Sequence, residues 1–269
     1  MKKKRLGIFA ALFAVCLMVG GQAALFAGAK KQSAAETQPV TILVAAAASL
    51  KNAYDEELIP QFQARYPWIA VSGTYDSSGK LQTQIENGME ADVFMSAAVR
   101  QMENLVNEGY INANDVNYLL QNKLVLIRPS GATTTVTGFA DITNAKTVAI
   151  GDPKSVPAGQ YAEEALVKIG VWNSLPESSK SLGTNVTEVL SWVGNGSADV
   201  GIVYATDAAS TDKVVVIETL AEGILSAPVI YPVAPLKNAP QPEAAKLFVD
   251  FLSSDEGLAI FERYGFSPN

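Results

Sequence analysis

The stretch VTILVAAAASLKNAYDEELIPQFQARYP at residues 40–67 decides the architecture. Its first nine residues form an apolar run closed by Ser49, which reads as a buried strand. From there the apolar positions fall at Leu50, Ala53, Tyr54, Leu58 and Phe62, the spacing of one helix face. The same switch recurs downstream. IAVSGTYD (69–76) is strand-like and SGKLQTQIENG (78–88) helical, with Gly88 as a stop. ADVFMSA (91–97) and RQMENLVNEG (100–109) repeat the pair. Further strands are expected in NKLVLIRP (122–129), TVAIGDP (147–153), ADVGIVYATD (198–207), VVVIETL and VIYPVAP. Helices are expected at 158–170 and 185–194, and as a closing pair in PEAAKLFVDFLSSDEGLAIFERYG. Strands alternating with helices of this length imply parallel α/β sheets, and two α/β lobes suit the chain better than one oversized sheet.

Composition narrows the chemistry. The chain has 269 residues, 20 Lys+Arg against 27 Asp+Glu, no histidine and one cysteine. No Ser-His-Asp triad, Cys-His pair or imidazole metal ligand can be assembled from it. Cys16 alone can form neither an internal disulfide nor a multi-thiolate centre. With 48% hydrophobic and 17% charged residues the chain has ample core material.

The first thirty residues read as an address. Lys2, Lys3, Lys4 and Arg5 form a positive head, LGIFAALFAVCLMVGG an apolar stretch, and Ala27 and Ala29 a small-residue cleavage pattern. Residues 1–29 are therefore expected to be a signal peptide cut before Lys30, with 30–39 a flexible leader. A lipoprotein reading would use Cys16, but Phe13-Ala14-Val15 fits a lipid-attachment box poorly. Retention as a membrane anchor is the other alternative, since Leu6 to Ala27 is long enough to span a bilayer. Cleavage removes four cations and no acid, so the formal net charge moves from −7 to −11. Such a surface repels nucleic acid and anionic membranes.

The junctions between strands and helices are where chemistry would sit. In open α/β sheets ligands bind beyond the carboxyl ends of strands, and a helix start offers free N–H groups and partial positive charge. The junctions AAAAS-LKN, TYDSSG-KLQ, GDPKSVPAG-QYA and GTNV-TEV carry small, hydroxyl or flexible residues. Lysine and arginine are absent at Ser49, Ala158 and Val186, and Lys80 alone lies near one junction. Neutral donors converging on one point would suit a small, fully ionised oxyanion. Each element also has a plainer reading: Ser49 and the Ser77-Ser78-Gly79 run as caps and turns, VPAG as a connecting loop, Tyr204 as a packing aromatic.

The ordered motifs VAAAASLKNA, YDSSGKLQTQIENGMEADVFMSA, AIGDPKSVPAGQYAEEAL and GIVYATDA, with the terminal ERYGF, resemble the molybdate-binding proteins of ATP-driven importers, the ModA family. The resemblance covers nearly all of residues 40–269. It implies a type II periplasmic-binding fold, two α/β lobes joined by crossover strands around a cleft. Lobe 1 would hold 40–121 and 230–269, and lobe 2 would hold 122–229. It further implies that Ser49 and Ser78 give hydroxyl and backbone N–H groups. Ala158 and Val186 would give backbone N–H groups, and Tyr204 its phenol. The run DSSGK departs from the serine-rich version of this motif, which leaves Ser77 as an alternative to Ser78. It also puts Asp76 beside the site, where Lys80 could offset it.

The implied function is extracytoplasmic capture of molybdate, and of tungstate, for an ABC permease in the inner membrane. No cofactor is expected, molybdenum entering only as the oxyanion, and the protein would be a periplasmic monomer. Sulfate or thiosulfate is the alternative ligand. An enzyme is not expected, because phosphatase or sulfatase chemistry wants a metal cluster or an activated nucleophile. Asp92, Asp152 and Asp207 read more simply as caps and turn residues.

Overall fold

The computed structural model describes residues 38–269. The signal segment 1–29 and residues 30–37 of the leader lie outside the described residues. In chain order the strands are β1 (Val40–Ala47), β2 (Ile69–Asp76), β3 (Val93–Met95), β4 (Asn117–Asn122), β5 (Leu124–Pro129) and β6 (Val148–Gly151). They continue with β7 (Lys180–Gly183), β8 (Val200–Tyr204), β9 (Val214–Thr219), β10 (Val229–Pro235) and β11 (Ser267–Pro268). One six-stranded sheet runs β11-β4-β10-β3-β1-β2, and a five-stranded sheet runs β7-β6-β8-β5-β9. Two mixed α/β lobes result.

The chain passes between the sheets twice. β4 hands over to β5 through Lys123 alone, and the return from β9 to β10 uses residues 220–228. Within the first sheet β1 pairs in parallel with β2 and β3, while β10 runs antiparallel to β3 and β4. In the second, β6 is parallel to β7 and β8, and β5 is antiparallel to β8 and β9. The long return connections needed between parallel strands are supplied by helices, whose starts therefore gather at the strands' carboxyl ends.

Local chemistry sets how those helices begin. After β1 the chain winds through a 3₁₀ turn, Ala48–Leu50, into a helix that widens to a π turn at Tyr54–Leu58 before Ile59–Arg65. Pro60 explains the widening. It has no N–H for the Glu56 carbonyl, and its ring would press on that carbonyl in a regular α turn, which an i→i+5 step avoids. The apolar face of this helix meets the C-terminal helices Pro242–Leu252 and Asp255–Arg263 through an aromatic cluster. There Phe62 and Phe248 cross edge to face with centroids 4.9 Å apart.

Asp92 is a buried bracket. One carboxylate oxygen accepts from Leu43 N at 2.7 Å and the other from Gln241 N at 2.7 Å, tying β1 to the start of a C-terminal helix. Burial raises its pKa, and those two N–H bonds pull against the rise. Asp152 accepts from Lys154 N in a turn, and Asp207 from Tyr204 N at the start of the Ala205–Ala209 helix. All three aspartates do backbone work.

The Pro157–Ile169 helix sits unusually close to β6. A Cβ on Gly159 would lie 1.9 Å from the Gly151 carbonyl oxygen, so only glycine lets the helix start come this near the strand end. Gly159→Ala is expected to destabilise the fold by about 1–3 kcal/mol, read as a lower denaturant midpoint.

Asp207 supplies a pH signature. Full burial lifts its carboxyl from 3.8 to about 7, partly countered by the Tyr204 N–H. A raised carboxylate pKa means the folded state holds the proton that the unfolded state has released. Stability from this group is therefore greatest below about pH 4 and is lost as pH rises through 7. Asp207→Asn keeps an acceptor for Tyr204 N and is expected to gain stability over the parent between pH 5 and 8. Thermal melts across that range test it, and parallel curves for the two proteins would refute it.

Candidate functional site

Four helical starts meet between the sheets. They follow Ala47 at the end of β1, Ser77 after β2, Val156 after β6 and Asn185 after β7. Between them lies a narrow cavity of about 10 Å³, lined by Ala47, Ala48, Ser49, Asp76, Ser77, Ser78, Ala97, Val156, Pro157, Ala158, Val186 and Tyr204. That is close to the room one water needs and far below the roughly 300–1,000 Å³ of pockets for drug-sized ligands, so the closed cleft is shaped for a very small solute. The structure thus brings Ser49, Ser78, Ala158, Val186 and Tyr204 around one space, with Ser77 beside them.

The lining is rich in donors and holds no lysine or arginine. Ser49, Ser78, Ala158 and Val186 occupy first turns, whose N–H groups have no intrahelical acceptor. Pro157, at the first helical position, fixes the backbone angle and leaves Ala158 as an early N–H of its turn. The start at Val186 is locked by Asn185, whose side chain accepts from Glu188 N at 3.0 Å, while Glu188 accepts from Thr184 N at 2.6 Å.

The two serines differ in their partners. Ser78 Oγ is fully buried and accepts from Ala97 N at 3.0 Å, which leaves its own proton to give. Ser77 stands at the cap position, yet its Oγ caps nothing and is buried without a hydrogen-bond partner. A buried hydroxyl left in that state costs free energy unless something is meant to fill its place. Asp76 reaches the lining with its charge already engaged. Its Oδ1 accepts from Ser77 N at 2.7 Å, from Lys80 at 3.4 Å and from Asn185 Nδ2 at 3.3 Å.

Across the cavity Tyr204 is 1% exposed, and its O–H points to the Ala97 carbonyl of the opposite lobe at 3.4 Å. Burial holds the phenol pKa well above 10, so it remains a neutral donor. Behind Ser49, and absent from the sequence reading, stand Tyr231 and Asn122. Tyr231 Oη lies 3.0 Å from Ser49 Oγ and 3.3 Å from Asn122 Nδ2. Nothing local in VIYPVAP separates Tyr231 from an ordinary core aromatic.

The lobes touch directly around this space. Gly79 N donates to the Ser155 carbonyl at 3.0 Å, and Gln101 Nε2 donates to Gln160 at 3.1 Å. With the Asp76–Asn185 bond these contacts describe a closed cleft. A Cβ on Gly79 would fall 2.4 Å from the Ser155 carbonyl oxygen, so the approach depends on glycine.

Comparison with known proteins accords with this geometry. Residues 42–267 match the family model described as bacterial extracellular solute-binding protein. The Bacillus subtilis protein YvgL, named for an ABC transporter substrate-binding lipoprotein, is 35% identical over 98% of this chain and 98% of its own. The Escherichia coli molybdate-binding protein ModA is 34% identical over 90% of this chain and 96% of its own. The Azotobacter vinelandii periplasmic molybdate-binding protein shares the fold, with a TM-score of 0.72 at 23% identity, covering 84% of this chain and 98% of that one. The two-lobed fold and these similarities make the chain a non-enzymatic solute-binding component of an ABC transporter, a member of the bacterial extracellular solute-binding protein family and a homologue of ModA.

Proposed function

We propose that the chain captures molybdate, and with it tungstate, outside the cytoplasm and delivers it to the membrane permease of its transporter. The observation that carries this reading is the cation-free, donor-lined cavity at four helix starts. An oxyanion such as molybdate presents four acceptor oxygens and no proton at neutral pH. It would accept from the amides of Ser49, Ser78, Ala158 and Val186, from the hydroxyls of Ser49 and Ser78, and from the Tyr204 phenol. The unpartnered Ser77 hydroxyl adds a further donor. Hydrogen bonds to a charged acceptor contribute about 1.5–3 kcal/mol each, so a handful supports sub-micromolar affinity after ordering costs.

Size would separate molybdate from sulfate, since the two share shape and charge and a cavity fitted to the larger ion holds the smaller one loosely. Tungstate, nearly the size of molybdate, would bind alike. Export by removal of residues 1–29 belongs to the same reading, and the chain would work as a periplasmic or surface-held monomer.

Contacts from both lobes would stabilise the closed form, so binding energy sets the open–closed balance. Calorimetric titration with molybdate, tungstate, sulfate and phosphate is expected to show tight binding of the first two and weak or undetectable binding of the others. Sulfate bound as tightly as molybdate would overturn the assignment. Ser77→Ala and Tyr204→Phe are each expected to weaken molybdate by roughly tenfold, one lost donor apiece. Gly79→Ala, which touches no ligand, is expected to weaken binding by obstructing closure, visible as a larger radius by small-angle scattering with molybdate present. An unchanged radius and affinity would show that the Gly79–Ser155 approach is not needed.

A further inference from the structure

Ser49 is the cleft hydroxyl whose proton has a choice of direction, and the groups behind it remove that choice. Asn122 Oδ1 accepts from Lys123 N at 2.8 Å, a backbone donor, so the amide nitrogen must face the other way. Its two N–H groups then have two acceptors, Thr206 Oγ1 at 2.9 Å and Tyr231 Oη at 3.3 Å. A phenol that accepts from an amide still has one proton to place. The Tyr204 hydroxyl stands near it but is turned to the Ala97 carbonyl, so the remaining neighbour within hydrogen-bond distance is Ser49 Oγ at 3.0 Å, and Tyr231 is fully buried. The phenol therefore donates to Ser49, and the Ser49 proton is left pointing away from Tyr231.

We propose that Tyr231, held by Asn122, is a positioning residue that directs the Ser49 hydroxyl proton into the cleft. The chain of donors runs Asn122 N–H, Tyr231 O–H, Ser49 O–H, bound anion. Each member polarises the next, so the Ser49 hydroxyl becomes a better donor than an isolated serine. Burial keeps Tyr231 protonated, so it retains the proton that it gives to Ser49. The location adds a second consequence. Asn122 ends β4 immediately before the single-residue crossing, Tyr231 lies on the strand that completes the return crossing, and Thr206 belongs to the other lobe. An anion held by Ser49 is thus bonded through two side chains to both connections between the lobes.

The inference rests on anion binding at this cleft but not on which anion is bound. The test begins with calorimetric titration of the parent protein with molybdate, tungstate and sulfate, and the variants are then titrated with whichever binds most tightly. Tyr231→Phe, which keeps the ring and removes only the hydroxyl, is expected to weaken binding roughly two- to tenfold. Asn122→Ala is expected to act in the same direction. In a Ser49→Ala background both substitutions are expected to have no further effect, because the group they act through is gone. Additive losses in the double variants, or full affinity in Tyr231→Phe, would overturn the proposal, since a merely structural role persists without the Ser49 hydroxyl. A parent that prefers sulfate would overturn the molybdate reading and leave this cycle intact on sulfate. A parent that binds none of the three would overturn both.

Discussion

The structure depends on one electrostatic constraint: helix starts with unfilled N–H groups are aimed at each other across a space that contains no cation. Alone, each start would be solvated. Brought together from two sheets, they form a region of positive potential built entirely from backbone and hydroxyl dipoles. Such a field does not depend on the protonation state of any histidine, and the chain has none. The aspartate at its edge does not cancel it, because Lys80, Asn185 and the Ser77 amide already occupy that carboxylate.

Keeping the dipoles aligned sets the demands on packing. Gly159 allows one helix to settle against the end of β6, and Asn185 with Glu188 fixes another. Asp92 fastens the first sheet to the C-terminal helices from within. Among the described residues two buried side-chain atoms lack a hydrogen-bond partner, Gln101 Oε1 and the Ser77 hydroxyl, and the Ser77 hydroxyl lies in the cavity lining. Polar groups left unfilled in a folded protein are costly, and their position is informative for that reason.

Much of the fold was legible because apolar runs and helical spacing alternate with little interruption from β1 to β3. The longest strand that eluded sequence reading was β4. Its residues NYLLQN mix polar and apolar types without a clean period, since the strand is exposed along part of its length. The short edge strand β7, KSLG, gave too little pattern to read. A third difference lies after β8, which ends at Tyr204 rather than continuing to Asp207. Small residues there tolerate either conformation, and the Asp207 carboxylate selects a helical turn by accepting from Tyr204 N. For the cavity, the family resemblance pointed to Ser49, Ser78, Ala158, Val186 and Tyr204, which the fold gathers around one space. The support behind Ser49 was invisible, because Asn122 and Tyr231 are separated by 109 positions and meet only once both crossings are folded.

The single residue between β4 and β5 carries a mechanical implication. A join that short has almost no freedom beyond the backbone torsions of Lys123 and its neighbours, whereas the return segment 220–228 is longer and is held by Leu220 N on the Leu124 carbonyl at 2.9 Å and Ser226 N on Glu164 at 2.6 Å. Relative rotation of the lobes is therefore expected to pivot near Lys123. Displacements will grow with distance from that axis, leaving the Asn122 neighbourhood nearly stationary while the far rim of the cleft sweeps the widest arc.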